Sequence, residues 1–119
     1  HAQGREGRYN IAVANGGAGN VPYNTTKGAV EMLTNAYAAD PRPNVQVNAI
    51  GPTITYTPMM VGILPPDENV RNNIANSLPA QRIGYEIDVV GAAIFLASAA
   101  SDMVTAATIY PDGGLVATS

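Results

Sequence analysis

An α/β layer fold built on a parallel sheet of about three strands is the architecture this sequence predicts, on three observations. Short apolar runs with strand character recur at residues 9–14, 45–50 and 108–110. Stretches with apolar residues three and four apart lie between them, and helical crossovers of this kind return the chain to a parallel sheet. The chain is 119 residues long, 46% hydrophobic and 13% charged. That is room for one core at most, and it excludes both a multidomain protein and a disordered, charge-rich chain.

Tyr9-Asn10-Ile11-Ala12-Val13-Ala14 reads as a buried strand, and Asn15-Gly16-Gly17-Ala18-Gly19 as the glycine-rich loop that ends it. Asn24-Thr25-Thr26 supplies polar helix-start residues, and Val30, Leu33, Ala36 and Tyr37 form an apolar face at helical spacing. This helix is expected to stop at Asp40, because Pro41-Arg42-Pro43 cannot continue it. Residues 45–50 form the second strand, and residues 51–66, with Gly, four Pro and several Thr, read as an irregular loop. Asp67 and Glu68 start a short helix reaching about Leu78, with Val70, Ile74 and Leu78 on one side. A stronger helix covers residues 87–98, with Val90, Ala93, Ile94 and Ala97 as its apolar face. Thr108-Ile109-Tyr110 is the last strand, closed by a Pro111-Asp112-Gly113-Gly114 turn.

Composition also bounds the partners. A net charge of −3 provides no field for a polyanion, so nucleic acid is not an expected partner. No apolar run approaches the ~20 residues needed to span a bilayer, so no membrane association is expected. The absence of cysteine excludes disulfides and thiolate metal sites and fits a cytoplasmic location. Asp67 and Glu68 are neighbouring carboxylates suited to a helix start rather than a metal, and no metal site is expected.

Chemistry concentrates at Tyr23-Asn24-Thr25-Thr26-Lys27. Residues four apart stand on one helical face, which brings a phenol and an ammonium together. Lowering a tyrosine from about 10 to about 7, where it serves as a base, requires roughly 4 kcal/mol in favour of the phenolate. A lysine about 5 Å away, at an effective dielectric near 20, supplies roughly 3 kcal/mol of this. Lys27 is the sole lysine, and with six tyrosines a chance pairing at this spacing has a probability of about 5%.

Tyr23-Asn24-Thr25-Thr26-Lys27-Gly28-Ala29-Val30 resembles the active-site helix of the short-chain dehydrogenases/reductases. Residues 47–59 (Val-Asn-Ala-Ile-Gly-Pro-Thr-Ile-Thr-Tyr-Thr-Pro-Met) resemble the strand and loop that close over the nicotinamide in that family. Arg82-Ile83-Gly84 with Asp88 to Ser98 resembles its penultimate helix, and Val104-Thr105 with Asp112-Gly113-Gly114 its last strand and closing turn. The resemblance implies the C-terminal portion of a Rossmann-like doubly wound parallel sheet. On that reading residues 1–119 are a single partial domain, without the N-terminal dinucleotide-binding βαβ unit. It implies NAD or NADP as cofactor, a small-molecule carbonyl or alcohol substrate, and a homo-oligomer for the full-length protein. It also implies roles: Tyr23 as acid/base, and Lys27 supporting it and bonding the nicotinamide ribose. Pro52 would shape the loop beside the nicotinamide, Thr55 would meet the carboxamide region through its backbone, and Thr57 would face the carboxamide or the phosphates.

Several positions depart from the family pattern. The family has a serine at the end of the strand before the tyrosine, whereas residues 1–22 contain neither Ser nor Thr. Asn15 is a conceivable substitute donor, and a plain turn residue is the alternative. Thr53 stands where glycine usually follows the proline, and its β-branched side chain is expected to crowd the cofactor or resist a φ the loop needs. Ala106 replaces a glycine common before the last strand, a change expected to matter little. Gly16-Gly17-Ala18-Gly19 lacks the Gly-x-Gly-x-x-Gly spacing of a dinucleotide fingerprint and reads as a loop. Met59-Met60 with Ile63-Leu64 suits a substrate lid and generic packing equally.

Two functions follow. One is hydride transfer between NAD(P) and a carbonyl/alcohol substrate, with Tyr23 and Lys27 at the reacting oxygen. The other is a non-catalytic remnant or fragment that acts as an association module, since a three-stranded sheet leaves a strand edge and apolar helix faces uncovered.

Overall fold

Valines alternating with amide residues in Val-Gln-Val-Asn, followed by Ala-Ile, form β2 (Val45–Ile50), the strand around which the rest assembles, and its last five residues are all buried. A strand covered on both faces is what a parallel sheet requires. In the computed structural model, which describes residues 7–12, 21–40 and 44–118, the sheet order is β1-β2-β5, with β1 (Gly7–Ala12) and β5 (Thr108–Ile109) on either side. Both pairings are parallel, Gly7 opposite Val45 through Ala12 opposite Ile50, and Ala49 and Ile50 opposite Thr108 and Ile109. The strands of the expected three-stranded sheet are therefore present, the first about two residues earlier than the hydropathy pattern suggests.

Helix α1 (Val21–Ala39) crosses from β1 to β2 and packs mainly on β2. Its inward stripe differs from the expected one. Leu33, Ala36 and Tyr37 are exposed, while Lys27, Val30, Glu31 and Ala38 are half-buried and Thr34 is fully buried. Thr34 tolerates burial because its hydroxyl donates to the Val30 carbonyl at 2.9 Å, one turn back. Helix α4 (Glu86–Ala97) shows the same kind of correction: Val90, Ile94 and Ala97 face outward, and residues 89, 92, 93 and 96 form the stripe turned towards β1 and β2. This helix is apolar almost all round, so spacing alone cannot select its buried face.

Residues 51–66 are more ordered than an irregular loop. Thr55 and Tyr56 form a two-residue strand, β3 (Thr55–Tyr56), and helix α2 (Pro58–Val61) follows with Thr57 as its N-cap. After α3 (Glu68–Asn76), capped by the Asp67 carboxylate on the Asn69 amide at 2.8 Å, the chain returns as β4 (Gly84–Tyr85). β3 and β4 pair in parallel as a separate two-stranded sheet. Glycine at 84 eases this approach, because a Cβ would sit 3.2 Å from Thr55 Oγ1 and 3.3 Å from the Ile54 carbonyl oxygen, closer than ordinary contact.

The segment entering β5 is tied down by two side chains of β2. The Gln46 amide donates to the carbonyls of Ser101 at 2.5 Å and Val104 at 2.7 Å. Asn48 donates to Val104 O at 3.0 Å and accepts from the Ala107 amide at 3.1 Å. After β5, Asp112 caps α5 (Leu115–Thr118), accepting from Gly114 N at 2.8 Å and Val116 N at 2.9 Å. Gly114 has φ +91°, and a Cβ there would lie 2.8 Å from Pro79 Cγ, so both backbone and packing demand glycine. Among the described residues no helix is long and apolar enough to cross a membrane.

Candidate active site

The carboxyl ends of β2 and β5 open onto one cavity of about 390 Å³, where open parallel sheets bind ligands. Gly51 to Thr55 with Thr57 form one part of its wall; Met59 and Met60 of α2, then Tyr110, Asp112, Leu115 and Val116 after β5, form the rest. The structure thus brings together three of the residues singled out from sequence: Pro52, Thr55 and Thr57.

Their side chains are held by the loop itself. Thr55 is 9% exposed and its hydroxyl donates to the Thr53 carbonyl at 2.8 Å. The Thr57 hydroxyl oxygen accepts from the Met60 amide at 3.2 Å, which fixes the start of α2 and leaves its own O–H available to donate. Thr53 does not adopt the left-handed backbone that would have strained it; the non-glycine residues with positive φ are Asn44, Gln81 and Ala106 among the described residues. The expected conflict over φ is absent because the loop turns with ordinary backbone angles at 53. Thr53 Oγ1 is instead a buried polar atom without a hydrogen-bond partner on the cavity wall. A polar ligand group would satisfy it, so the residues present fit a ligand carrying an amide or hydroxyl.

Lys27 lies on the sheet-facing stripe of α1, half-buried, and is not one of the residues lining this cavity. Tyr23 is one turn earlier on the same helix, with its side chain outside the described part of the structure. Asn15 and the glycine-rich segment 16–19 also lie outside the described residues. A contact that sequence reasoning missed connects α1 to the cavity. Tyr110 donates its hydroxyl to Glu31 Oε1 at 3.3 Å, and Glu31 is one turn beyond Lys27. Burial first, and then the Glu31 carboxylate, push the Tyr110 hydroxyl above its ordinary value, so it remains a neutral donor at physiological pH. No local pattern marks a pair 79 residues apart; only the crossover places them together.

A second constellation lies behind the loop. Arg82 grips Asp88 with both nitrogens, at 2.7 and 2.8 Å, and Asp88 also accepts from the Tyr85 amide at 2.7 Å. The Arg82 hydrogen bond and then the Tyr85 amide hold the Asp88 carboxyl down at about 2. Arg82 also sits 6.0 Å from the Tyr85 ring centroid, and Tyr85 packs on Tyr56 at 5.5 Å between centroids. These contacts brace the β3–β4 pair that carries Thr55.

Residues 9–116 match a family model described as enoyl-(acyl carrier protein) reductase, nearly the whole chain. The chain belongs to the short-chain dehydrogenase/reductase family. Among curated members of that family it is 40% identical over 97 residues to a 2-dehydro-3-deoxy-D-gluconate 5-dehydrogenase of Formosa agariphila, covering 81% of this chain and 37% of that one. It is 38% identical over 96 residues to a 5-keto-D-gluconate 5-reductase of Escherichia coli, covering 80% and 37%. A solved gluconate 5-dehydrogenase of Burkholderia cenocepacia, in complex with NADP and tartrate, superposes with a TM-score of 0.83 at 35% identity, covering 92% of this chain and 45% of that one. The Rossmann-like parallel architecture is thereby established for this short-chain dehydrogenase/reductase chain. The chain spans 37% of the length of the two curated relatives and 45% of the solved one.

Proposed function

We propose that this chain carries the substrate and nicotinamide side of an NAD(P)-dependent oxidoreductase that interconverts a small-molecule alcohol and carbonyl. The observation that carries the reading is the convergence of Pro52, Thr55 and Thr57 on one cavity at the carboxyl end of the sheet, beside the helix that bears Tyr23 and Lys27. Relatives named for gluconate and its keto derivatives support a small-molecule substrate, and a relative solved with NADP supports a nicotinamide cofactor. The buried, unpartnered Thr53 Oγ1 is a point where an amide or hydroxyl of the cofactor or substrate fits.

When bound, the cofactor supplies or accepts the hydride. The residues of the chain do the rest. Tyr23 gives a proton to the developing alkoxide in reduction and removes one from the alcohol in oxidation. Lys27, one turn on, favours the phenolate by its positive charge and holds the ribose. Pro52, Thr55 and Thr57 form the wall against which the nicotinamide rests. Apolar side chains around the cavity exclude water from the reacting carbonyl.

A second reading is an association module without catalysis. The outer edge of β1 and the exposed apolar side chains Met32 and Ile87, 67% and 70% exposed, support it. Fluorescence titration with NADH and NADPH separates the two. For the full-length protein, saturable micromolar binding, together with turnover that Tyr23→Phe abolishes without weakening that binding, is the expected result. Failure to bind either nucleotide overturns the oxidoreductase reading, as does undiminished turnover in Tyr23→Phe.

A further inference from the structure

Helix α1 carries the proposed acid/base pair, yet apolar contact fixes its roll about its own axis only weakly. Among the described residues its inward stripe is Lys27, Val30, Glu31, Thr34 and Ala38. Val30 and Ala38 are the apolar members, and both are half-buried. The larger apolar side chains Met32, Leu33 and Tyr37 are exposed. A helix whose sheet-facing stripe is mostly polar is oriented by its polar contacts more than by hydrophobic burial.

Glu31 supplies such a contact. The Tyr110 hydroxyl donates to Glu31 Oε1 at 3.3 Å, and both residues are half-buried. Glu31 stands on the turn that docks against the sheet: one turn on, Thr34 is fully buried. Tyr110 leaves the carboxyl end of β5, lines the cavity and lies just before Asp112, which caps α5 through Gly114 N and Val116 N. Each end of the bond is thus anchored in backbone that is itself held. Burial and the Glu31 carboxylate keep the Tyr110 phenol protonated, so it remains a donor. Neither residue is among those that carry the family resemblance.

We propose that the Tyr110–Glu31 bond is a positioning contact, which sets the roll of α1 and thereby the place of Tyr23 and Lys27 relative to the cavity wall. The inference rests on the roles proposed above for Tyr23 and Lys27. Tyr23, Lys27 and Glu31 follow one another at intervals of four and share a helical face, so a roll at Glu31 carries all of them with it. Side-chain tips lie about 5–6 Å from a helix axis, and a roll of about 10° displaces them by about 1 Å. A misplacement of about 1 Å costs on the order of a hundredfold in rate, so a roll of about half that size costs about tenfold.

Variants of the full-length protein test this, with NADPH oxidation at saturating ethyl acetoacetate reading turnover and NADPH fluorescence reading nucleotide binding. Tyr110→Phe and Glu31→Leu break the bond, whereas Glu31→Gln keeps an acceptor oxygen for the phenol. Tyr110→Phe and Glu31→Leu should each lower kcat about tenfold and leave the NADPH Kd within about twofold. Glu31→Gln should keep kcat within about twofold of the native value. The double variant Tyr110→Phe/Glu31→Leu should be no slower than either single one, and the two changes should be non-additive in the thermal midpoint as well. A tie that only stabilises the fold lowers the midpoint and leaves kcat unchanged, and that result overturns the proposal. So does a Glu31→Gln variant as slow as Glu31→Leu, since charge rather than position would then matter, and so does additivity of the two changes. Tyr23→Phe, measured alongside, separates this failure from that of the oxidoreductase reading. If Tyr23→Phe abolishes turnover while Tyr110→Phe leaves kcat intact, the positioning role alone fails. If the native protein does not turn over, if Tyr23→Phe is undiminished, or if neither NADPH nor NADH binds, the oxidoreductase reading fails and takes the positioning role with it.

Discussion

Replacing Asn48 by leucine tests whether polar ties from the central strand set the geometry of the cavity. Asn48 is 2% exposed, and its amide bridges Val104 O at 3.0 Å and Ala107 N at 3.1 Å. Leucine keeps the branched four-heavy-atom shape, though it is bulkier, and removes both bonds. The Val104 carbonyl retains the Gln46 amide at 2.7 Å, so its loss is partial. The Ala107 amide keeps no other partner recorded in the structure, and a buried unsatisfied amide costs about 1–3 kcal/mol. Leucine recovers part of that through apolar burial, and a net destabilisation of about 2 kcal/mol is expected. For a chain of 119 residues that corresponds to a Tm lowered by roughly 8 °C. Urea unfolding followed by circular dichroism gives the free energy directly. Asn48→Asp is the informative companion: its carboxylate still accepts from Ala107 but faces the Val104 carbonyl, so its stability should improve as the pH falls and the acid regains a proton to donate. A loss below about 0.5 kcal/mol in Asn48→Leu, the range of ordinary surface substitutions, would refute the assignment of these bonds to the entry of β5.

Two further perturbations follow from the same structure. Ala106 has φ +59°, where a non-glycine residue costs about 1–2 kcal/mol; Ala106→Gly relieves this against about 0.4–1 kcal/mol of added unfolded-state freedom, so unfolding should become harder by about 0.5–1 kcal/mol in urea titration. Asp88 has its folded value held near 2, below the ordinary 3.8, so its contribution is present above pH 4 and is lost as the pH falls through about 2. Unfolding midpoints measured from pH 6 to pH 2 should therefore fall more steeply for the native sequence than for Asp88→Asn, and the two curves should converge at the acid end.

The fold was legible where the chain repeats a simple period over enough residues. β1, β2 and the two long helices announce themselves in this way, while β5 is marked by the Pro111-Asp112-Gly113-Gly114 turn after it and α3 by its Asp67 cap. Helix faces were not. In α4, apolar residues surround the axis, and in α1 the buried position is Thr34, whose hydroxyl bonds its own backbone and so hides its polarity from any hydropathy pattern. β3 and β4 are two residues each, too short for alternation to register, and exist because Gly84 lets two backbones approach. Gln46 and Asn48 read as polar interruptions in an apolar strand, yet both are buried and organise the segment before β5. Among the departures from the family pattern, Thr53 was expected to crowd the cofactor or to resist a φ the loop needs, and the φ conflict does not arise, whereas Ala106, expected to be minor, occupies left-handed space. The difference is one of backbone, which residue identity alone does not display.

Adjacency of β2 and β5 in the sheet explains why two stretches far apart in sequence meet at the candidate site. Its wall comes from 51–60 and 110–116, the two segments that leave the carboxyl ends of adjacent parallel strands. The Tyr110–Glu31 bond then ties that wall to the helix bearing Lys27. The geometry of the proposed ligand wall therefore depends on β2, β5 and α1. The outer edge of β1 and the exposed faces of α1 and α4 lie away from these contacts. Binding of a small-molecule substrate and binding of a dinucleotide are separable properties under the proposed function: the first would draw on this wall, and the second needs a surface for the adenine half as well. Measured together on the same chain, the two affinities distinguish a complete oxidoreductase site from a substrate wall alone.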